Sequence, residues 1–142
     1  MEKNFINNLL NSMKILIAGH GSIGQKHYKI LSKIKREKKI VFFSSQKKIK
    51  TTNLQTFNQI ISYDPDYIVV ALRTAQHYKF VKFLEKKFKN KKILIEKPIF
   101  DKPYSIDLKK NFYFVGYNLR FHPIINFIKK KKFKPIHVKV NA

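Results

Sequence analysis

The stretch "KILIAGHGSIGQKH", residues 14–27, holds three of the four glycines in a chain of 142 residues. The run Lys14–Ala18 that leads into it is short and continuously apolar after its first residue. That is the pattern of a strand buried on both faces of a sheet. From Ser22 to Ile34 the residues Ile23, Tyr28 (or His27), Ile30, Leu31 and Ile34 recur near helical spacing, which predicts a helix with those side chains turned inward. Gly19, Gly21 and Gly24 thus stand in the order Gly-x-Gly-x-x-Gly between a strand and a helix. In that context the first glycine permits the tight turn and the second leaves room for a pyrophosphate close to the backbone. The third lets the helix pack against the strand, and the helix N-terminus faces the phosphates. The phosphate-facing loop is then Gly19, His20, Gly21, Ser22, Ile23 and Gly24, and its ligand a dinucleotide.

Outward from this loop the same alternation continues. Lys39–Phe43 reads as a second strand, Leu54–Ile61 as a helix, and "YIVVAL", residues 67–72, as a third buried strand after the Asp64-Pro65-Asp66 breaker. Thr74–Phe88 is helical, with His77 or Tyr78, Val81, Leu84 and Phe88 on one face. "KILIEKP" (92–98) is a strand ending at Pro98, and "FYFVGYNL" (112–119) is another. "HPIINFIKK" (122–130) makes a late helix, and "IHVKV" (136–140) alternates as a final strand. Strand following helix throughout implies an α/β protein with a doubly wound, mainly parallel sheet and helices on both faces. The length and mass, 142 residues and 16.9 kDa, suit one ordinary domain. There is no internal repeat.

The net charge of +23 raises the possibility of a nucleic-acid or anionic-membrane partner. The basic residues, however, are 28 lysines against three arginines, Arg36, Arg73 and Arg120. Arginine is the side chain that forks onto guanine edges and phosphates, so its scarcity argues against specific nucleic-acid recognition. The lysine excess goes with a general richness in Ile, Asn, Phe and Tyr, the bias of AT-rich codons. Tracts such as Lys129–Lys132 then read as solvated surface. The absence of cysteine excludes disulfides and thiolate metal sites, and no other metal constellation is evident. The longest apolar runs are of strand length, against the roughly 20 residues a spanning helix needs. The N-terminus shows no basic region followed by an apolar one, so a cytoplasmic protein is expected.

Four stretches together resemble the Gfo/Idh/MocA family of NAD(P)-dependent oxidoreductases, which act mainly on sugars and related polyols. "GHGSIGQKH" is similar to the family fingerprint, including His27 after the last glycine. "DYIVVALRTAQH" is similar to its third core strand and following turn, ending here in His77. "ILIEKP" matches its Glu-Lys-Pro motif, and "VGYNLRFHP" its Tyr-Asn-x-Arg-Phe segment. The resemblance covers Met13 to Ala142. Residues 1–12 lie outside it as an extension, with Met13 a candidate original start. The resemblance implies a Rossmann-like dinucleotide-binding domain over 13–123, and it implies that 124–142 open a truncated substrate domain. It also implies that Lys97 is catalytic, beside the nicotinamide ribose and the reacting hydroxyl, with Glu96 next to the cofactor. An ammonium group there can donate to the substrate oxygen and stabilise charge as hydride moves. His77 is open between a cofactor contact and a core histidine.

Two departures bear on the cofactor. The ribose-binding carboxylate of dinucleotide folds stands about 20 residues past the last glycine. Here that position is Ser44, followed by Ser45, Gln46, Lys47 and Lys48, hydroxyls and ammonium groups that favour NADP over NAD. In the turn after "IVVA" the family commonly has Thr or Asn before Pro, whereas this chain has Leu72-Arg73. Backbone contacts from Leu72 survive such a change, and Arg73 can reach a phosphate or stack on adenine. The family's second domain, which shapes the substrate pocket and supplies the usual catalytic Asp and His, is represented only by "IHVKVNA". His122 and His137 do not replace those residues.

Three readings follow: an oxidoreductase active on a small sugar-like substrate once a second domain complements it, a non-catalytic nucleotide-binding remnant, and a basic nucleic-acid module. The exposed terminal strand, 136–140, is expected to promote self-association. No membrane partner is expected. With charge dominated by lysine, DNA retention measured by fluorescence anisotropy is expected to be non-specific and to collapse between about 50 and 200 mM salt. A sequence-selective complex that survives this range restores the nucleic-acid reading.

Overall fold

The structure, a computed structural model, describes residues 12–131. Six parallel strands form one sheet: β1 (Met13–Ala18), β2 (Lys38–Phe43), β3 (Asn53–Leu54), β4 (Tyr67–Val70), β5 (Lys92–Ile95) and β6 (Phe112–Val115). Their order is β3-β2-β1-β4-β5-β6. The direction of winding reverses between β1 and β4, which opens a crevice at the carboxyl ends of those strands. Among the described residues four α-helices accompany the sheet: α1 (Ser22–Ser32), α2 (Phe57–Tyr63), α3 (Thr74–Lys87) and α4 (Pro123–Lys130), the last preceded by a 3-10 turn at Asn118–Phe121. This is the doubly wound, Rossmann-like α/β fold implied by the sequence.

Side chains alternate across the strands to build two cores. On one face Leu16, Ala18, Val41, Ile68, Val70, Ile93 and Ile95 are buried beneath Ile60 of α2 and Phe80, Val81 and Leu84 of α3. Phe43, Phe57, Phe80 and Phe83 knit this layer, with Phe57 and Phe83 centroids 4.4 Å apart. On the other face Ile15, Ile17, Phe42 and Val69 pack beneath Tyr28 and Leu31 of α1. Leu94 of β5 still packs against this core, but at β6 the second face is open among the described residues, with Phe112 and Phe114 57% and 53% exposed.

Three local expectations differ from the structure. The helix expected at Leu54–Ile61 begins only at Phe57, because Thr56 and Gln59 close a reciprocal capping box, while Asn53 and Leu54 pair with β2 as a two-residue strand. The Thr-x-x-Gln spacing was the available signal. The helix expected to reach Ile34 ends at Ser32, and Ile23 and Ile30 within α1, like Ile34 beyond it, are 41%, 63% and 50% exposed. The close approach of Gly24 to the preceding turn sets the rotation of the helix, so of the residues at helical spacing Tyr28 and Leu31 are the ones that meet the sheet. The strands at 67–72, 92–98 and 112–119 are shorter than expected, ending at Val70, Ile95 and Val115. Leu72, Glu96, Lys97 and Tyr117 therefore stand in loops beyond the sheet. The strand at 136–140 and the extension 1–11 lie outside the described residues.

Glu85, near the end of α3, organises the return from β5 to β6. One carboxylate oxygen accepts from the Lys109 and Lys110 amides at 2.9 and 2.7 Å, and the other from Asn111 Nδ2 and the Tyr113 hydroxyl at 3.0 and 2.8 Å. Partial burial pushes this carboxyl up, but the hydrogen bonds, led by the Lys110 amide and Tyr113, outweigh it and hold the group below its usual value. Stability from Glu85 is therefore present above the unfolded carboxylate value, about 4.3, and is lost as pH falls toward the lower folded value. In urea titrations from about pH 6 to about pH 3 the midpoint is expected to fall less steeply in Glu85→Gln than in the parent. Parallel slopes would contradict this.

Candidate functional site

The glycine turn is built on two approaches too close for side chains. Gly19 has φ of +105°, and a Cβ on it would lie 2.2 Å from the Ala71 carbonyl oxygen. A Cβ on Gly24 would lie 2.0 Å from the Gly19 carbonyl oxygen. Those two glycines are required by the protein itself: one lets the turn pass over the end of β4, the other seats α1 on the turn. Gly21 differs, for a Cβ there would meet no heavy atom within 4 Å. It occupies the N-cap of α1 without any side-chain cap, so the first-turn amides of Ser22, Ile23 and Gly24 face outward with the positive end of the helix. A loop that keeps open space above an uncapped helix N-terminus fits the phosphates of a dinucleotide.

The parallel topology brings most of the expected residues to one edge of the sheet. Gly19–Gly24 follow β1, Ser44 and Ser45 follow β2, Leu72 and Arg73 follow β4, and Glu96 and Lys97 follow β5. Ser44 donates its amide to the Leu54 carbonyl at 3.2 Å and accepts the Gln46 amide on its hydroxyl at 3.1 Å. Gln46 reaches back to the loop, its Oε1 lying 2.9 Å from His20 Nδ1. A cleft of about 580 Å³ flanks this rim, lined by His20, Ser22, Gln25, Lys48 and Lys50 among others. A larger cavity, about 770 Å³, lies at the opposite edge, lined by Ile15, Ile34, Arg36, Asp66 and Tyr67 among others and by none of the expected site residues. Ligands of open α/β sheets bind at the carboxyl ends of the strands, so the first edge is the candidate site.

Two histidines organise the loops there. His77, 1% exposed at the start of α3, has Nε2 2.9 Å from the Leu72 carbonyl oxygen and Nδ1 3.0 Å from that of Ile99. Each ring nitrogen faces a backbone acceptor, which is the geometry of a core histidine joining two loops. His27 Nε2 lies 2.6 Å from Glu96 Oε1, linking α1 to the end of β5. Gly116 gives this carboxylate room, since a Cβ there would come within 3.1 Å of both its oxygens. Burial, with the negative charge of Glu96 behind it, pushes the Tyr67 hydroxyl up. Lys97 is exposed, as are Arg73 and Ser45. The roles of His27 and Gly116 were not legible as roles in the sequence, although both residues lie inside the quoted motifs. Among the described residues no three His, Asp or Glu side chains converge as metal ligands, and no helix is long and apolar enough to cross a membrane.

The fold and its glycine loop define a dinucleotide-binding Rossmann domain. The model of the GFO_IDH_MocA oxidoreductase family, NAD-binding Rossmann fold, matches residues 13–108, and the chain belongs to this family. Solved structures agree on the fold. A WlbA dehydrogenase from Bordetella pertussis, in complex with NADH and UDP-GlcNAcA, superposes with a TM-score of 0.71 at 12% identity, covering 86% of this chain and 42% of that one. A dehydrogenase (MviM) from Clostridium difficile gives 0.65 at 25% identity, covering 83% and 43%. Scyllo-inositol dehydrogenase from Lactobacillus casei, with bound NAD(H) and scyllo-inositol, gives 0.63 at 20% identity, covering 84% and 40%. The chain spans about two-fifths of the length of these proteins. A comparison with curated proteins finds no match.

The three glycines are expected to separate by experiment. Gly21→Val should abolish dinucleotide binding in calorimetric titration while leaving the melting temperature within about 2 °C, because no protein atom opposes the new side chain. Gly19→Ala and Gly24→Ala should instead destabilise the fold. Normal binding by a folded Gly21→Val variant places the ligand elsewhere.

Proposed function

We propose that this chain is the cofactor-binding half of an oxidoreductase that moves hydride between a nicotinamide and a sugar- or polyol-type substrate, working with a second domain that holds the substrate. The observation that carries the reading is the open space over Gly21 at an uncapped helix N-terminus. In this proposal residues 13–123 form the binding domain and 124–142 open the next one. The longer chains of the structural neighbours support the second domain, as does the open sheet face at Phe112 and Phe114.

Gly19–Gly24 would hold the pyrophosphate through backbone amides. Ser44 and Ser45, with Lys47 and Lys48 close behind, would meet the adenosine ribose. No acidic residue stands between Ser44 and Thr52, so nothing there repels a 2'-phosphate and NADP is favoured over NAD. Leu72 and Arg73 would line the crevice across from the glycine loop. A bound nicotinamide supplies the hydride acceptor or donor. Lys97 Nζ donates a hydrogen bond to the reacting oxygen and stabilises the charge that builds there, with Glu96 beside it. The absence of cysteine fits a cytoplasmic setting.

Calorimetry is expected to show NADPH binding at least about tenfold tighter than NADH, a difference of about 1.4 kcal/mol. Equal or tighter NADH binding overturns the cofactor preference. The chain alone should show no turnover with a panel of sugars and polyols, because one lysine without a pocket neither orients substrate nor completes proton transfer. Supplied with a substrate domain from a relative, it should gain activity that falls about 10²–10⁴-fold in Lys97→Ala. Turnover by the chain alone, lost in that variant, contradicts the need for a second domain. Tight binding with no activity after complementation supports a non-catalytic nucleotide-binding remnant instead.

A further inference from the structure

The segment that carries Lys97 is fixed at both ends while its middle is exposed. Glu96 donates its amide to the Val70 carbonyl at 3.0 Å, the last bond joining this segment to β4. Lys97 and Pro98 are then exposed, and the Ile99 carbonyl oxygen is held 3.0 Å from His77 Nδ1. At the near end His27 reaches across 69 positions of sequence to the Glu96 carboxylate at 2.6 Å. The two side chains are 21% and 14% exposed, and Gly116 leaves room for the carboxylate that a Cβ there, 3.1 Å from both its oxygens, would crowd.

We infer that His27 is a positioning residue for the nicotinamide end of the site: by holding Glu96 it fixes the backbone at Lys97 relative to α1. The inference rests on the proposed dinucleotide reading. The amides at the start of α1 face the phosphates, so the helix that fixes the cofactor's middle also fixes the lysine that must meet its reactive end. The adenosine half lies on the β2 side of the crevice, beside Ser44. Glu96 lies two strands from β1 on the other side. Loss of His27 therefore loosens one half of the ligand and not the other. A hydrogen bond that served only to staple the fold would show no such asymmetry.

The test compares NADPH with 2'-phospho-ADP, which keeps the adenosine half and both bridging phosphates and lacks the whole nicotinamide riboside, by calorimetry on the full chain. The variants are His27→Leu and His27→Gln, the latter with an amide N–H that can replace Nε2 toward Glu96. His27→Leu is expected to weaken NADPH binding about tenfold, the scale of one lost hydrogen bond to a charged group, and to change 2'-phospho-ADP binding by less than about twofold. It should also reduce the rise in nicotinamide fluorescence on binding, and His27→Gln should recover most of both signals. Equal weakening of the two ligands, or no weakening of either, overturns the positioning role while leaving the dinucleotide site intact. A parent chain that binds neither ligand overturns the site itself, and the inference with it.

Discussion

The turn after β1 brings three chain segments closer together than any side chain allows. The Gly19 carbonyl lies where a Cβ of Gly24 would be, and the Ala71 carbonyl where a Cβ of Gly19 would be. These approaches seat α1 on β1 and lay the turn across the end of β4, where the order of strands reverses. Much of the site follows from this packing. Because α1 is drawn down at Gly24, Tyr28 and Leu31 cover the sheet and His27 comes within reach of Glu96. Because the turn passes over β4, the Leu72 loop lies beside the glycine loop and is tied in turn to Ile99 through His77.

The contrast among the glycines separates architecture from function. Gly19 and Gly24 are explained by neighbouring backbone, and Gly116 by the Glu96 carboxylate. Gly21 has no such neighbour. A residue that loses conformational entropy on folding without relieving any contact inside the protein is best explained by something outside it. The open space above Gly21 agrees with the NAD-binding Rossmann fold of the family to which the chain belongs.

The parallel sheet, the glycine loop and the edge at which the site residues gather were legible in the sequence. Buried strands leave continuous apolar runs, and scarce glycines stand out in a chain with four of them. What stayed hidden depends on tertiary packing. Helical spacing pointed Ile23 and Ile30 inward, but the rotation of α1 is set by one backbone contact that hydrophobicity does not encode. β3 is too short, at two residues, to leave a pattern of its own. His27 and Glu96 were both visible in motifs, yet a pair separated by 69 residues is brought together only by the register of the sheet. Likewise the spacing of His77 does not show that both of its ring nitrogens face backbone carbonyls.

Amide chemical shifts followed by two-dimensional NMR during titration with NADPH bear most directly on the location of the site. The two edges of the sheet offer alternatives far apart in the fold, the glycine crevice and the larger cavity beside Ile34, Arg36 and Asp66. Saturable shifts are expected at Gly21, Ser22, Ile23 and Gly24, with Ser44, Arg73 and Lys97 following, while Ile34, Arg36 and Asp66 stay unchanged. Shifts concentrated at Ile34, Arg36 and Asp66, with the glycine loop unmoved, would contradict the assignment of the crevice as the cofactor site.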